Sequence, residues 1–228
     1  MIKKALYSII ISILFCCCLP AKAQIGVSYF FPEHGSFSVP VAPFSYTQQI
    51  TFRRVQWIKL IPGAAIYTIG GMSVKGLPDG YNGNQPLMGP FHSVMLSFMP
   101  ALSLPLGSVD IDFQGGYFGC YNILPQINEG NFDRMLAKRE GWDACTSDFS
   151  FKNNIAHGFV FGMTFNIWIS RDRAICPGVM YYMGGSKLDL NGSYTGGKLG
   201  DPVVTKTASF SDSKLNYRGF EVQIGLQL

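Results

Sequence analysis

The chain has 228 residues, a formal net charge of +4, 47% hydrophobic residues and 14% charged residues. Lys3 and Lys4, an apolar run over residues 5–19, Pro20 and the small-residue site Ala21-Lys22-Ala23 make residues 1–23 a secretory signal peptide. Its removal takes three of the 18 basic residues and leaves 15 against 14 acidic ones, so charge gives no support to a nucleic-acid partner.

The run over 5–19 is shorter than the roughly 20 apolar residues a spanning helix needs. Lipidation at Cys16, Cys17 or Cys18 is disfavoured by the bulky Phe15 before the first of them. The mature segment, residues 24–228, is long enough for one barrel or sandwich domain and contains no apolar run that could form a membrane helix.

Eight β-rich segments succeed one another in chain order. The first, 24–31, puts Ile25, Val27, Tyr29 and Phe31 on one side, and a long segment over 32–48 separates it from the second, 49–59. A quick turn at 60–63 leads to the third, 64–72, and then to a loop over 73–90 rich in Gly, Asn and Pro. The fourth, 91–104, alternates His92, Val94, Leu96, Phe98, Leu102 and Leu104 with Ser93, Ser97, Ala101 and Ser103. A turn at 105–108 returns the chain into the fifth, 109–121, with Val109, Ile111, Phe113, Tyr117 and Tyr121 opposite Asp110, Asp112, Gln114 and Gly116. The longest connection, 122–156, comes next.

The sixth segment, 157–169, has the strictest alternation, with bulky odd positions such as Phe159, Phe161 and Phe165 against Gly158, Gly162, Thr164 and Asn166. A turn at 170–173, a seventh segment over 174–190, a polar Gly-rich connection over 191–213 and an eighth segment over 214–228 complete the chain. Period-2 alternation of this length fits strands tilted through a bilayer, and alternating short and long connections give the usual asymmetry of such barrels. The fold expected is all-β: an eight-stranded antiparallel transmembrane barrel with short periplasmic turns, long external loops and both termini in the periplasm. A secreted sandwich would also alternate, but its second face would be more polar than the Gly, Ser, Ala and Gln found here, which suit a crowded narrow lumen.

Over residues 24–228 the strand pattern and loop order resemble the small eight-stranded outer-membrane barrels of Gram-negative bacteria, the OmpA/OmpX/OmpW-like superfamily. The apolar last strand resembles the signal read by barrel-assembly machinery, with Leu228 where the usual terminal aromatic stands. The resemblance implies residence in the outer membrane and contact with its lipid.

Asp110, Asp112 and Glu221 are expected inside, and Arg54 is placed to meet Glu221 in an interior salt bridge, either a plug or a polar gate. Of the three cysteines left after the leader, Cys120 and Cys145 flank the same long loop and are expected to pair in an oxidising compartment. His34, His92 and His157, with Ser36 and Ser93 nearby in sequence, show no triad or metal-ligand spacing. The expectation is no enzyme, no cofactor and no metal. Tyr29, Tyr46, Trp57, Tyr67, Tyr117, Tyr121, Trp168, Tyr181 and Tyr182 read as interfacial girdles. Within loop 122–156, a helix over 131–140 is expected, capped by Asn131 and stopped by Gly141. Its Phe132, Met135, Leu136 and Arg139 share one side that either covers the barrel mouth or docks a protein partner. The function expected is a non-enzymatic scaffold or accessory subunit of an envelope complex, with transport or binding of an apolar molecule as the alternative and a lipid-modifying outer-membrane enzyme as a third reading.

Overall fold

A computed structural model describes residues 21–33, 41–52, 55–77 and 85–228. Eight strands close on themselves: β1 (Ala21–Pro32), β2 (Val41–Phe52), β3 (Val55–Ile69), β5 (Phe91–Leu106), β6 (Val109–Ile123), β8 (Ala156–Trp168), β9 (Ala174–Lys187) and β13 (Gly219–Gln227). Each pairs antiparallel with its neighbour in that order, and β13 pairs with both β9 and β1, so the barrel has no free edge. The end of β2, the start of β3 and the connections at 107–108 and 169–173 lie at one end together with the start of β1 and the end of β13, where Gln24 faces Gln227. Long connections occupy the other end. Strand β1 begins at Ala21, three residues before the start read from the sequence.

Alternation decides which side chains face where. Leu96, Phe98, Leu102, Phe159, Phe161, Phe220 and Ile224 project outward, with Leu96 60% and Phe159 62% exposed. Inward positions on the same strands hold Ser93, Asp112, Gln114, Thr164, Asn166, Glu221 and Gln227, all buried. A soluble protein has the opposite arrangement; an apolar belt around a polar core is what lipid requires. No described helix is long and apolar enough to cross a membrane, and the strands are what cross.

The second and third strands differ from the sequence expectation. There is no turn at 60–63: β3 runs straight through Pro62-Gly63, and β2 begins at Val41, inside the stretch read as a loop. Gly63 is required here by crowding rather than by a turn, since a Cβ would come within 2.7 Å of Ser97 Oγ and 3.0 Å of Thr47 Cγ2. Strand β2 ends at Phe52 and β3 begins at Val55, and these two residues pair.

Above the barrel the long connections are folded. They contribute a two-residue strand β4 (Val74–Lys75), a helix α1 (Glu129–Glu140), and strands β7 (Ala144–Ser150), β10 (Leu190–Gly197), β11 (Val204–Phe210) and β12 (Lys214–Asn216). Strands β11, β10 and β7 form a separate sheet in that order. The run 191–213, read as a polar connection, is therefore largely a hairpin. Helix α1 lies against β7 and β10 with Asn131, Phe132, Met135 and Leu136 buried. Its N-cap is Asn128, whose Oδ1 accepts the Asn131 N–H at 3.2 Å; Asn131 instead sits one turn in and donates through Nδ2 to the Pro86 carbonyl at 2.7 Å. Gly141 ends the helix in the left-handed conformation, as its position suggests.

Candidate functional site

Two regions concentrate polar and aromatic chemistry: the lumen, and the lid formed by the long connections. The lumen is filled from the turn end upward. Lys59 Nζ donates to both carboxylate oxygens of Asp112 at 2.8 and 2.9 Å, and Asn166 Nδ2 donates to the same carboxylate at 2.7 Å. Gln49 Nε2 reaches Asn166 Oδ1 at 3.4 Å, and Trp168 Nε1 donates to Asp110 at 2.9 Å. These contacts tie together β2, β3, β6 and β8. An ion pair with both charges buried needs this degree of hydrogen bonding to offset its desolvation.

Higher up, Tyr67 donates to the buried Glu221 carboxylate, and Ser28 Oγ lies 3.4 Å from the Tyr67 hydroxyl. A cavity of about 30 Å³ near Tyr67, Met99, Tyr182 and Glu221 has room for about one water. Above it, Phe118 packs edge-on against Tyr182, and Tyr182 against Phe30. Eight strands leave an interior that side chains fill, and here they do.

The lid has its own aromatic core. Phe132 of α1 meets Phe149 of β7 at 4.8 Å between ring centroids and Phe210 of β11 at 6.3 Å, while Trp142 lies 5.7 Å from Tyr194 of β10. Glu140 at the end of α1 accepts hydrogen bonds from the Tyr194 hydroxyl and from Lys206 on β11, so the helix is fastened to the hairpin by charge as well as packing. The Lys206 hydrogen bond holds the Glu140 carboxyl below the usual carboxylate range, while burial pushes the Tyr194 phenol up.

Several sequence-derived assignments change in this setting. The helix face of Phe132, Met135 and Leu136 is spent on the lid core, with Leu136 fully buried, and is closed to a partner; Arg139 alone of the four is exposed. The structure places no disulfide between Cys120 and Cys145. Cys120 points into the lumen from β6 whereas Cys145 lies on β7 in the lid, and both are free, as is Cys176. Being on either side of one long loop in sequence did not bring them together, because that loop folds upward as α1 and β7. Arg54 lies outside the described residues, so its pairing with Glu221 has no counterpart here. Tyr67 provides Glu221 with a partner, and among the described residues the buried ion pair of the lumen is Lys59–Asp112. Lys59 was hidden by the false turn: with β3 continuous, it shares an inward face with Ile61, Gly63 and Tyr67.

Of the residues read as girdle aromatics, Tyr29, Tyr46, Trp57, Tyr117 and Tyr121 are outward and exposed, whereas Tyr67, Trp168 and Tyr182 face the lumen. His92 is exposed while its neighbour Ser93 is buried on the opposite face of β5, so the two do not form a catalytic pair. His157 Nδ1 lies 2.5 Å from the Tyr117 hydroxyl on the outer surface. His34 and Ser36 fall outside the described residues. Among the described residues no three His, Cys, Asp or Glu side chains converge as a metal site.

The free thiols give a direct test. Burial, with the nearby Asp133 and Glu140 carboxylates adding to it, pushes the Cys145 thiol up to about 11. Maleimide labelling of the folded chain should be slow at pH 7 and accelerate as pH rises toward that value, because the thiolate is the nucleophile. In denaturant without reductant, Cys120, Cys145 and Cys176 should all label; a shortfall of two would restore a disulfide.

No protein-family model and no curated protein matches the sequence. Among solved structures, the chain is similar to the outer membrane protein OprG from Pseudomonas aeruginosa, with a TM-score of 0.53 at 12% identity over 91% of this chain and 93% of that one. Ail, the attachment invasion locus protein of Yersinia pestis, aligns with a TM-score of 0.45 at 11% identity over 91% and 95% of the two chains. A major outer membrane protein from Thermus thermophilus aligns at 0.46 and 9% identity over 91% and 98%. The likeness to OprG extends over nearly the full length of both chains at an identity that carries no shared site, so what it establishes is architecture. With strand closure, an outward apolar belt and turns gathered at one end, the chain has the fold of the small eight-stranded outer-membrane β-barrels.

Proposed function

We propose that this protein is a non-enzymatic outer-membrane barrel that anchors an ordered platform outside the membrane, serving as a scaffold or accessory subunit of an envelope complex. The lid faces the exterior and both termini face the periplasm. The observation that carries this reading is the lid itself: a three-stranded sheet and a helix around a shared aromatic core are more structure than closing a filled lumen requires. Strand β11 pairs with β10 on one side only among the described residues, leaving an open sheet edge. Beside it, Leu199 is 96% and Val203 72% exposed. An open edge with apolar neighbours is suited to receiving an extended segment of another protein by strand addition. The partner surface is thus moved from the face of α1 to the edge of β11.

The filled lumen weighs against transport, because among the described residues its interior cavity has room for about one water. The test is a proline at Thr205 or Thr207, each of which removes a backbone donor from β11. Chemical crosslinking in the native envelope should capture a defined neighbour on the wild-type chain and lose it in at least one of these variants, with the heat-modifiable gel shift of the barrel intact. Capture unaffected by both prolines would remove the sheet edge from consideration, and absence of any crosslinked neighbour would remove the scaffold role.

A further inference from the structure

At the lid end of the barrel, Lys75 of β4 stands opposite Lys214 of β12, and Lys214 stands opposite Lys187 of β9. Three ammonium groups therefore line up across three strands on the outward face, where like charges directly opposite each other repel. All three are exposed, and among the described residues none takes part in an ion pair. An uncompensated row of this kind is stabilised by an anion brought from outside.

The row rims a notch of about 540 Å³ that also includes His157, Gly185 and Asn216. Gly185 lies between His157 on β8 and Asn216 on β12, and a Cβ there would come within 2.6 Å of the Leu215 carbonyl oxygen, so the floor must remain without a side chain. Asn216 Nδ2 is buried with no acceptor. A buried donor without a partner is costly, and a bound acceptor would satisfy it.

Two rungs toward the membrane, and so next on the same face, the pair His157–Gly185 gives way to Phe159–Met183 on the same two strands. There an apolar groove of about 530 Å³ opens on the lipid face, lined by Phe98, Pro100, Tyr117, Phe159, Phe161 and Met183. It lies where the β5–β6 ladder is interrupted between Phe98–Tyr117 and Ala101–Gln114, at a proline that has no N–H to donate. A cationic notch directly above an apolar groove matches one molecule with an anionic head and a hydrocarbon chain. A free anion would leave the groove unused, and an acidic peptide would have no reason to enter the lipid-facing part.

We propose that the notch and groove together form a binding site for an outer-leaflet lipid, with a phosphorylated headgroup on Lys75, Lys187, Lys214 and Asn216 and an acyl chain along Phe159 and Met183. The assignment to the outer leaflet rests on the external placement of the lid proposed above. That placement is tested separately by protease accessibility of the lid on intact cells, so its failure would not be confused with loss of lipid binding.

The binding test uses the folded chain in maltoside micelles, titrated with bis-phosphorylated lipid A and read by native mass spectrometry. Affinity should fall on the order of a hundredfold in the triple variant Lys75→Gln, Lys187→Gln, Lys214→Gln, and a similar amount when lipid A is dephosphorylated. Phe159→Ala should weaken binding several-fold, and millimolar inorganic phosphate should not compete. These positions are outward and exposed, and the heat-modifiable gel shift checks that each variant is folded. Unchanged affinity in the folded triple variant would overturn the site. Full competition by inorganic phosphate, or no effect of Phe159→Ala, would overturn the lipid in favour of a simple anion.

Discussion

Replacing Lys59 with methionine is expected to lower the unfolding free energy of the barrel by about 3–5 kcal/mol, the range for removing one partner of a buried ion pair. The side chains of Lys59 and Asp112 are 9% and 0% exposed, so the carboxylate left behind cannot recruit bulk water. Asn166 Nδ2 would still donate to Asp112, but an amide hydrogen bond does not neutralise a charge. Changing Asp112 to asparagine as well should recover most of the loss: the charge is gone, and the new amide oxygen can still accept from Asn166. Urea unfolding in lipid vesicles, followed by tryptophan fluorescence and by the gel shift of the folded form, measures both variants. A single variant as stable as wild type, or a double variant less stable than the single, would mean that the pair does not hold the lower lumen together.

The position of Lys59 also shows how far the sequence could be read. Facing was legible because it is local: in β5, β6 and β8 each side chain's side of the wall follows from its neighbours two residues away, and the buried Ser93, Asp112, Thr164 and Asn166 are all on the expected side. Pairing across the lumen was not legible. Lys59 and Asp112 lie on β3 and β6, which are separated by β5 in the wall, and only closure of the barrel brings them together. The Pro62-Gly63 signal compounded this by cutting β3 in two, since the same dipeptide that starts a turn is tolerated in a strand whose inner face needs a small residue. In the lid, β7 alternates partly buried Cys145, Ser147 and Phe149 with exposed neighbours over seven residues, a signal that was present but short. Strands β10 and β11, rich in Gly, Ser and Thr, have no continuous apolar face. They hold their place because Tyr194 and Phe210 reach a helix and a strand from a different loop, information that no local window contains.

Phe132→Ala is expected to open the lid while leaving the barrel folded. Truncating a buried phenylalanine costs about 3–5 kcal/mol, and Phe132 is 1% exposed at the meeting point of α1, β7 and β11. That loss falls on a small sheet and one helix, whose own stability is a fraction of that of the closed strand ladder below, so local opening is the cheaper response. Amide exchange should rise by orders of magnitude over α1, β7, β10 and β11, with β5, β6, β8 and β9 remaining protected in the membrane. The tie from Glu140 to Tyr194 and Lys206 is too exposed to hold the helix without that ring. Because the edge of β11 exists only in the folded lid, the same variant should lose the crosslinked neighbour that the β11 prolines remove. Retained capture with an exchanging lid would place the partner on the barrel rim. Uniform loss of protection through the strands would show lid and barrel to be one cooperative unit, and the lid would then be part of what keeps the wall closed.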